Sequence, residues 1–284
     1  METIATPAMW AGFFLFVIVA TVVDLKVLSA KGATRVGLRE ALAWSAFWVA
    51  LALAFGGWLW WHLHGTAGPE EAREQALAYF TGYLIEKSLS VDNIFVFLML
   101  FTYFAVPAEL QRRTLVYGVL GAIALRIVMI LVGAWLIARF HWIIYVFGLF
   151  LLATGGKMLF FAGDKPDLEK NPALRWMRGH LALTPGFEGE RFWVLKAGVR
   201  TYTPLFLVLV MIGVTDIVFA VDSIPAIFAI TDDPFIVMTS NIFAVLGLRA
   251  LYFVLADMAD RFHLLSYGLA LVLMLSLIHI SEPT

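Results

Sequence analysis

The chain has 284 residues, 62% of them hydrophobic and 14% charged, with a formal net charge of −1. A soluble domain carries roughly 25% charged residues, so this composition excludes an ordinary water-soluble fold and points to a polytopic membrane protein; the near-neutral balance gives no support for nucleic-acid binding. Cysteine is absent, which excludes disulfides and thiolate metal ligands and leaves oxygen or imidazole donors for any metal site.

Apolar runs of about 20 residues cross a hydrocarbon core of roughly 30 Å as helix. Eight are read in chain order, at 9–28, 41–61, 77–104, 114–137, 142–161, 203–230, 235–256 and 264–280. Continuous apolar runs suit helices rather than the alternating strands of a barrel, so the predicted fold is all-α, a polytopic transmembrane helical bundle. The first run lacks a basic leader and a convincing cleavage site and reads as a retained helix. With the second it forms an N-terminal pair over 1–75. Asp24 and Lys26 at the inner end of the first span, and Lys157 near a helix end, read as snorkelling side chains. Of the six histidines, His62, His64, His141, His180 and His263 read as interfacial, and the tryptophans near span ends, such as Trp10, Trp58, Trp60, Trp61 and Trp142, as interfacial belts.

Basic residues alternate between connections. Lys26, Lys31, Arg35 and Arg39 follow the first span, Arg112 and Arg113 the third, and Lys165, Lys170, Arg175, Arg178, Arg191, Lys196 and Arg200 the fifth. Acidic connections intervene, with Glu70, Glu71 and Glu74 before the third span and Asp232 and Asp233 after the sixth. The positive-inside rule then puts the N-terminus outside and the 162–202 loop in the cytoplasm. That loop is punctuated by Pro166, Pro172, Pro185 and Gly186. Within it, LRWMRGHLAL (174–183) reads either as a short amphipathic helix whose Arg175 and Arg178 meet anionic headgroups, or as a solvated linker.

The third and sixth spans carry acids at matching intervals. Glu86 and Asp92 are six residues apart, as are Asp216 and Asp222, and each pair is offset from the other by 130. The match continues: Gly118–Arg126 in the fourth span answers Asn241–Arg249 in the seventh, and Phe147-Gly148-Leu149 answers Tyr267-Gly268-Leu269. Residues 76–161 and 203–280 are thus two three-helix units. Because three is odd, the second enters the membrane in the opposite sense, giving an inverted-topology repeat of the kind that secondary transporters use.

A carboxylate at bilayer depth costs about 2.5–3.5 kcal/mol on insertion scales, so four of them call for a reason. Six residues of α-helix turn about 600°, some 120° off the starting face, and rise about 9 Å. Either each acid faces a different neighbour or the helix is broken between them. Ser88, Ser90 and Asn93, and Thr215, Ser223 and Pro225, suit a break, so broken helices lining a polar cavity are expected. Antiparallel packing would set Glu86 beside Asp222 and Asp92 beside Asp216, with all four converging. Asn93 and the hydroxyls of Ser90, Thr215 and Ser223 would complete an oxygen shell suited to Mg²⁺, Ca²⁺ or Mn²⁺. The competing reading is structural: Lys87, Arg126, Lys157 and Arg249 supply four bases to neutralise four acids. Lys87, Arg126 and Arg249 are accordingly expected to balance the carboxylates rather than to bind cargo.

The segments YLIEKSLSVDNIFVF (83–97), QRRTLVYGVLGAIALR (111–126), DIVFAVDSIPAIFA (216–229) and TSNIFAVLGLRALYF (239–253) resemble the signature segments of the TerC family, particularly its Alx-like members, and the resemblance extends from the first span to about Met274. The family is similar to the LysE superfamily of exporters. The resemblance implies a bacterial cytoplasmic-membrane protein that exports Mn²⁺; other members are linked to tellurium resistance or to metalation of secreted enzymes. By motif, it implies Glu86, Asp92, Asp216 and Asp222 as transport acids, with Asn93, Ser223 and Asn241 beside them. Two departures stand out. Gly213 occupies a position that is acidic in many relatives. The tail LSLIHISEPT (275–284) matches neither repeat nor family, with Leu277 where a counterpart of Lys157 is expected, and reads as a truncated or chimeric end.

The expected function is therefore divalent-cation export by alternating access, with no prosthetic group and no enzymatic activity. Mn²⁺ is the expected cargo, and proton exchange on the same carboxylates is an economical coupling. The lipid bilayer and the cation are the expected partners, with a homo-oligomer or a secreted metalloprotein left open. The alternatives are a non-transporting partner for metalation that docks through 162–202, and an intramembrane aspartate enzyme, against which stands the absence of a Gly-x-Gly-Asp motif.

Overall fold

The computed structural model describes residues 3–31, 37–140, 171–196 and 198–258, with parts of 142–149. The eighth span, most of the fifth, Lys157, residues 162–170 and the tail 275–284 lie outside the described residues. The elements are α1 (Pro7–Lys31), α2 (Leu38–Thr66), α3 (Pro69–Tyr103), α4 (Ala108–Arg139), α5 (Pro172–His180), β1 (Trp193–Lys196), β2 (Val199–Tyr202), α6 (Pro204–Phe228) and α7 (Pro234–Leu246). After a turn at Gly247 the helix of α7 resumes to Met258.

Local chemistry sets the helix starts. Proline opens α3, α5, α6 and α7, where its missing N–H costs nothing. Asn171 Oδ1 accepts from Ala173 N and Leu174 N at the head of α5, and Asp233 Oδ1 accepts from Phe235 N and Ile236 N at the head of α7. Asp233 Oδ1 also accepts from Thr3 Oγ1, and its Oδ2 from Ile4 N at 2.6 Å, so the same carboxylate clips the N-terminal segment onto α7.

Among the described residues, four helices are long and apolar enough to cross a membrane: Leu38–Thr66, Ala108–Arg139, Pro204–Phe228 and Pro234–Met258. The protein is a helical, multi-pass integral membrane protein. At its centre lies α7, in which every residue from Pro234 to Leu246 is buried. Aromatic contacts fasten α1 and α2 to this centre: Phe13 lies edge-on to Phe235 at 6.0 Å, and Phe55 meets Phe243 at 4.8 Å and Tyr79 at 5.3 Å.

Small residues set the registers, as close helix approach in lipid requires. In α3, a Cβ on Gly82 would meet Ser240 Oγ at 3.0 Å on α7 and Ile227 Cγ2 at 3.3 Å on α6. Four or five residues further on, Glu86 meets Asn241 and Lys87 meets Ala244, so α3 and α7 run parallel. In α4, Gly118 backs onto Ile212 and Gly133 onto Phe228, so α4 and α6 run parallel. Gly82 near the start of α3 touches Ile227 near the end of α6, so those two are antiparallel.

Three expectations change. First, α3 and α6 are continuous through their acidic motifs, and two of the polar residues expected to suit a break are instead satisfied on their own helix. Ser88 Oγ donates to Leu84 O at 2.8 Å, and Thr215 Oγ1 to Met211 O at 3.0 Å and Ile212 O at 2.9 Å. Pro225 falls in the last turn of α6, past both acids, so the one helix bond it forgoes leaves the motif's helix unbroken. The interruption lies instead at Gly247 in the seventh span, where Lys87 Nζ donates to Ala244 O at 3.3 Å. Second, α3 begins at Pro69, eight residues before the apolar run. Third, the 162–202 loop contains the short helix α5 but also an antiparallel hairpin, with Trp193 opposite Tyr202 and Lys196 opposite Val199. The fold is therefore helical with one small sheet.

Candidate intramembrane ion site

Arg126 on α4 is fully buried and is shared by three other helices. Its Nη2 donates to Asp216 Oδ1 at 2.9 Å and its Nε to Asp216 Oδ2 at 3.4 Å, a forked pair with the carboxylate of α6. Its Nη1 donates to Glu86 Oε1 on α3 and to Asn241 Oδ1 on α7 at 2.9 Å. The ring closes where Asn241 Nδ2 donates to Glu86 Oε2 at 3.1 Å. Glu86, Arg126, Asp216 and Asn241 are each at most 1% exposed. Two carboxylates and one guanidinium give the network a formal charge of −1, held in a region where an uncompensated charge is costly.

Glu86 and Asp216 are repeat equivalents, and they meet the same cation. Asp92 and Asp222 do not share this guanidinium: Asp92 is exposed on α3, and Asp222 is half-buried on α6. This corrects the expected pairing of Glu86 with Asp222 and of Asp92 with Asp216. Because both helices are continuous, six residues turn the second acid of each motif about 120° away from the first, and the long Arg126 side chain joins the two inward-facing acids. The four acids do not converge. Among the described residues there is no group of three or more His, Asp or Glu placed to hold a metal ion.

The remaining polar residues sort by helix face. Glu86, Ser90 and Asn93 fall at i, i+4 and i+7, one stripe of α3, and all are fully buried. Asp216, Ala220 and Ser223 form the equivalent stripe of α6, again buried. Ser90 Oγ, both amide atoms of Asn93 and Ser223 Oγ have no hydrogen-bond partner. Asn93 and Ser223 are repeat equivalents at the same offset of 130. Orphaned buried polar atoms cost about 1–3 kcal/mol each.

Thr215 is committed to its own helix and contributes nothing to the stripe. Lys87 balances no carboxylate among the described residues; its ammonium rests on the Ala244 carbonyl, in the space beside Gly247 that a Cβ there would enter at 2.8 Å. Arg249, the repeat mate of Arg126, is 7% exposed and lines a small cavity with Glu40 and Arg112, away from Glu86 and Asp216. Around Gly213 a Cβ would meet no atom within 4 Å. The six-residue interval hid the working pattern; the i, i+4, i+7 stripe was present in the same segments.

A sequence model of the family described as "Integral membrane protein TerC family" matches residues 71–280. The chain is 55% identical over 273 residues to "Putative membrane-bound redox modulator Alx" of Escherichia coli (strain K12), an alignment that covers 96% of this chain and 85% of the relative. The same identity and coverage hold for the protein of that name from Salmonella typhi. An uncharacterized membrane protein of Myxococcus xanthus is 48% identical over 276 residues, covering 96% of this chain and 84% of its own. No solved structure matches the chain.

Proposed function

This chain belongs to the TerC family of integral membrane proteins, and we propose that it exports a divalent cation, with Mn²⁺ as cargo, across the bacterial cytoplasmic membrane. It is a transporter rather than an enzyme in this reading, built as eight spans around an inverted three-helix repeat. Its N-terminus lies outside and its 162–202 loop in the cytoplasm, the side that the basic connections select.

One observation carries the reading. Two repeat-equivalent buried stripes present acids at one position, Glu86 and Asp216, and unpartnered oxygen donors at another, Asn93 and Ser223. Ion-pair architecture alone accounts for the acids and leaves the orphaned donors unexplained. A hard cation passing between α3 and α6 would take Asn93 Oδ1, Ser90 Oγ and Ser223 Oγ in place of part of its hydration shell. The negative network behind them, with Asp92 and Asp222 flanking the stripes, draws the cation in.

The inverted repeat has its own support. The offset is 130 from α3 to α6 and 123 from α4 to α7. Under those offsets the Gly82–Ser240 contact maps onto Ile212 and Tyr117, and Gly118, one residue away, is the residue that backs onto Ile212. One packing contact of each repeat thus has a counterpart within a residue in the other, which supports the repeat. In alternating access the two repeats exchange conformations. Exchanging Arg126 for its mate hands the same two acids, Glu86 and Asp216, to Arg249. Access then switches by trading one guanidinium for the other, and the carboxylates never lose a counter-charge while cargo crosses. Proton exchange on the acids of the two motifs is the coupling that the pH-gradient arm of the test reads.

Oxygen donors admit Mg²⁺ and Ca²⁺ as readily as Mn²⁺, so the choice of manganese rests on family membership. The relatives' naming as redox modulators fits a cargo-mediated effect, since this chain has no cysteine for dithiol chemistry. The test is flux of Mn²⁺, Mg²⁺ and Ca²⁺ into proteoliposomes under set pH gradients. Saturable Mn²⁺ flux that falls at least tenfold in Asn93→Leu and Ser223→Ala is expected; absence of flux for every cation would overturn the reading.

A further inference from the structure

Away from the polar network, a groove of about 260 Å³ runs between α5 and α6, with Trp176, Met177, Leu181, Tyr202, Phe206 and Val210 among its walls. Its two ends differ. Val210 lies six residues past Pro204, about 9 Å along α6, so the inner end opens on the face of a helix suited to crossing the membrane. At the other end Trp176 is exposed, with the His180 ring stacked on it at 5.0 Å. Arg200 shares a strand face with Tyr202, and its guanidinium lies 4.6 Å from the centroid of the Trp193 ring, diagonally across the hairpin.

The charge at that end is positive. Glu188 is engaged by Lys196 at 2.6 Å and Glu190 by Arg113 at 2.8 Å, so the acids of the hairpin region are already matched, while Arg200 is exposed. No carboxylate lines the groove. The wall is also anchored. Phe192 sits edge-on to Tyr117 of α4 at 5.4 Å, Arg113 lies over both rings, and Tyr202 N donates to Ala182 O at 2.8 Å. A two-stranded hairpin is marginal by itself; here it is pinned near the N-terminal ends of α4 and α6, two helices suited to crossing the membrane. An apolar slot open to the hydrocarbon, with tryptophan and arginine at its polar end, has the chemistry of a phospholipid from tail to phosphate.

We infer that this groove seats an acyl chain of an anionic phospholipid whose phosphate is held by Arg200, with His180 beside it. The groove shares no residue with the Glu86, Arg126, Asp216 and Asn241 network. It makes the 171–202 surface a lipid-binding element rather than a docking platform for a soluble protein.

The absence of cysteine allows a single reporter, Leu181→Cys carrying a bimane, with Leu42→Cys on exposed α2 as the control. The labelled protein is placed in phosphatidylcholine nanodiscs containing rising fractions of dibrominated phosphatidylglycerol or dibrominated phosphatidylcholine. The Leu181→Cys reporter is expected to be half-quenched at a mole fraction of the glycerol lipid at least about threefold lower than of the choline lipid, with no such preference at Leu42→Cys. Arg200→Gln should bring the two curves together, and Val210→Trp, which fills the inner end, should lower the maximal quenching by both lipids. Superimposable curves in the parent protein would mean annular lipid only and would overturn the site. So would a preference that survives Arg200→Gln, or one shared equally by Leu42→Cys.

Discussion

Replacing Arg126 with Met should destabilise the protein far more than replacing either acid it holds. In Arg126→Met, Glu86 keeps the amide of Asn241, but among the described residues Asp216 takes hydrogen bonds from Arg126 alone. Removing one partner of a buried pair costs about 3–5 kcal/mol. Two stranded carboxylates do not double that figure, because each relaxes by taking a proton rather than staying charged in a dry site. In Glu86→Gln, by contrast, the network goes from a formal charge of −1 to neutral, with Arg126 and Asp216 still forked together, so the loss is about 1.5–3 kcal/mol, the worth of a hydrogen bond to a charged group. For a chain of this size about 1 kcal/mol corresponds to roughly 2–4 °C in Tm. Unfolding in detergent micelles, followed by tryptophan fluorescence, should therefore show a fall of roughly 6–20 °C for Arg126→Met and at most about 12 °C for Glu86→Gln. The triple variant Glu86→Gln, Arg126→Met, Asp216→Asn removes all three charges and should recover to within about 2 kcal/mol of the parent. Equal losses in Arg126→Met and Glu86→Gln, or a triple variant no better than Arg126→Met, would refute the account of Arg126 as the shared counter-charge.

Asn93→Leu removes orphaned buried donors, so stability should hold or rise by about 1 kcal/mol while cation flux falls; a loss of stability would show that Asn93 has a structural partner. Asp233→Ala removes one cap and the N-terminal clip at once; a cost of about 1–2 kcal/mol is expected, with hydrogen exchange rising at residues 4 and 5, and unchanged exchange there would remove the clip. Gly118→Val puts a Cβ 2.9 Å from Ile212 Cγ2, whereas Gly121→Ala meets open space. The first should cost about 1–3 kcal/mol by overpacking and the second almost nothing, and thermal unfolding of the two variants side by side is the check.

Hydropathy located the four helices among the described residues that are long and apolar enough to cross a membrane, because a run of about 20 apolar residues has few other uses. It placed the start of α3 late, since Pro69, Glu70 and Glu71 are good first-turn residues that no apolar window registers. The hairpin escaped because WVLK and VRTY are four-residue strands, too short for an alternation to emerge. The acids were visible as an anomaly, and their helical geometry was computable, but the choice between a broken helix and two faces turned on where Ser88 and Thr215 sent their hydroxyls. That both inward acids meet one arginine depends on registers set by Gly82, Gly118 and Gly133. Those are close contacts between distant segments, which no periodicity within one segment encodes.

The repeat makes one further claim, about the conformation opposite to this one. Arg126 now holds Glu86 and Asp216 while Arg249 lines the cavity with Glu40 and Arg112. If exchange of repeats hands the acids to Arg249, then Arg126→Gln should favour the opposite-facing conformation and Arg249→Gln the present one. A shared ion pair worth about 3–5 kcal/mol can tilt a two-state equilibrium by roughly a hundredfold or more. Single cysteines at Ser90 and Ser223, buried on equivalent faces of α3 and α6, report the tilt when a membrane-impermeant thiol reagent is applied from one side and then the other. The ratio of the two modification rates should move in opposite directions in the two arginine variants, by at least about tenfold each. A common direction would mean that the arginines act together as braces and do not alternate. The readout needs no cargo, so this exchange can fail while cation flux stands, and flux can fail while the exchange stands.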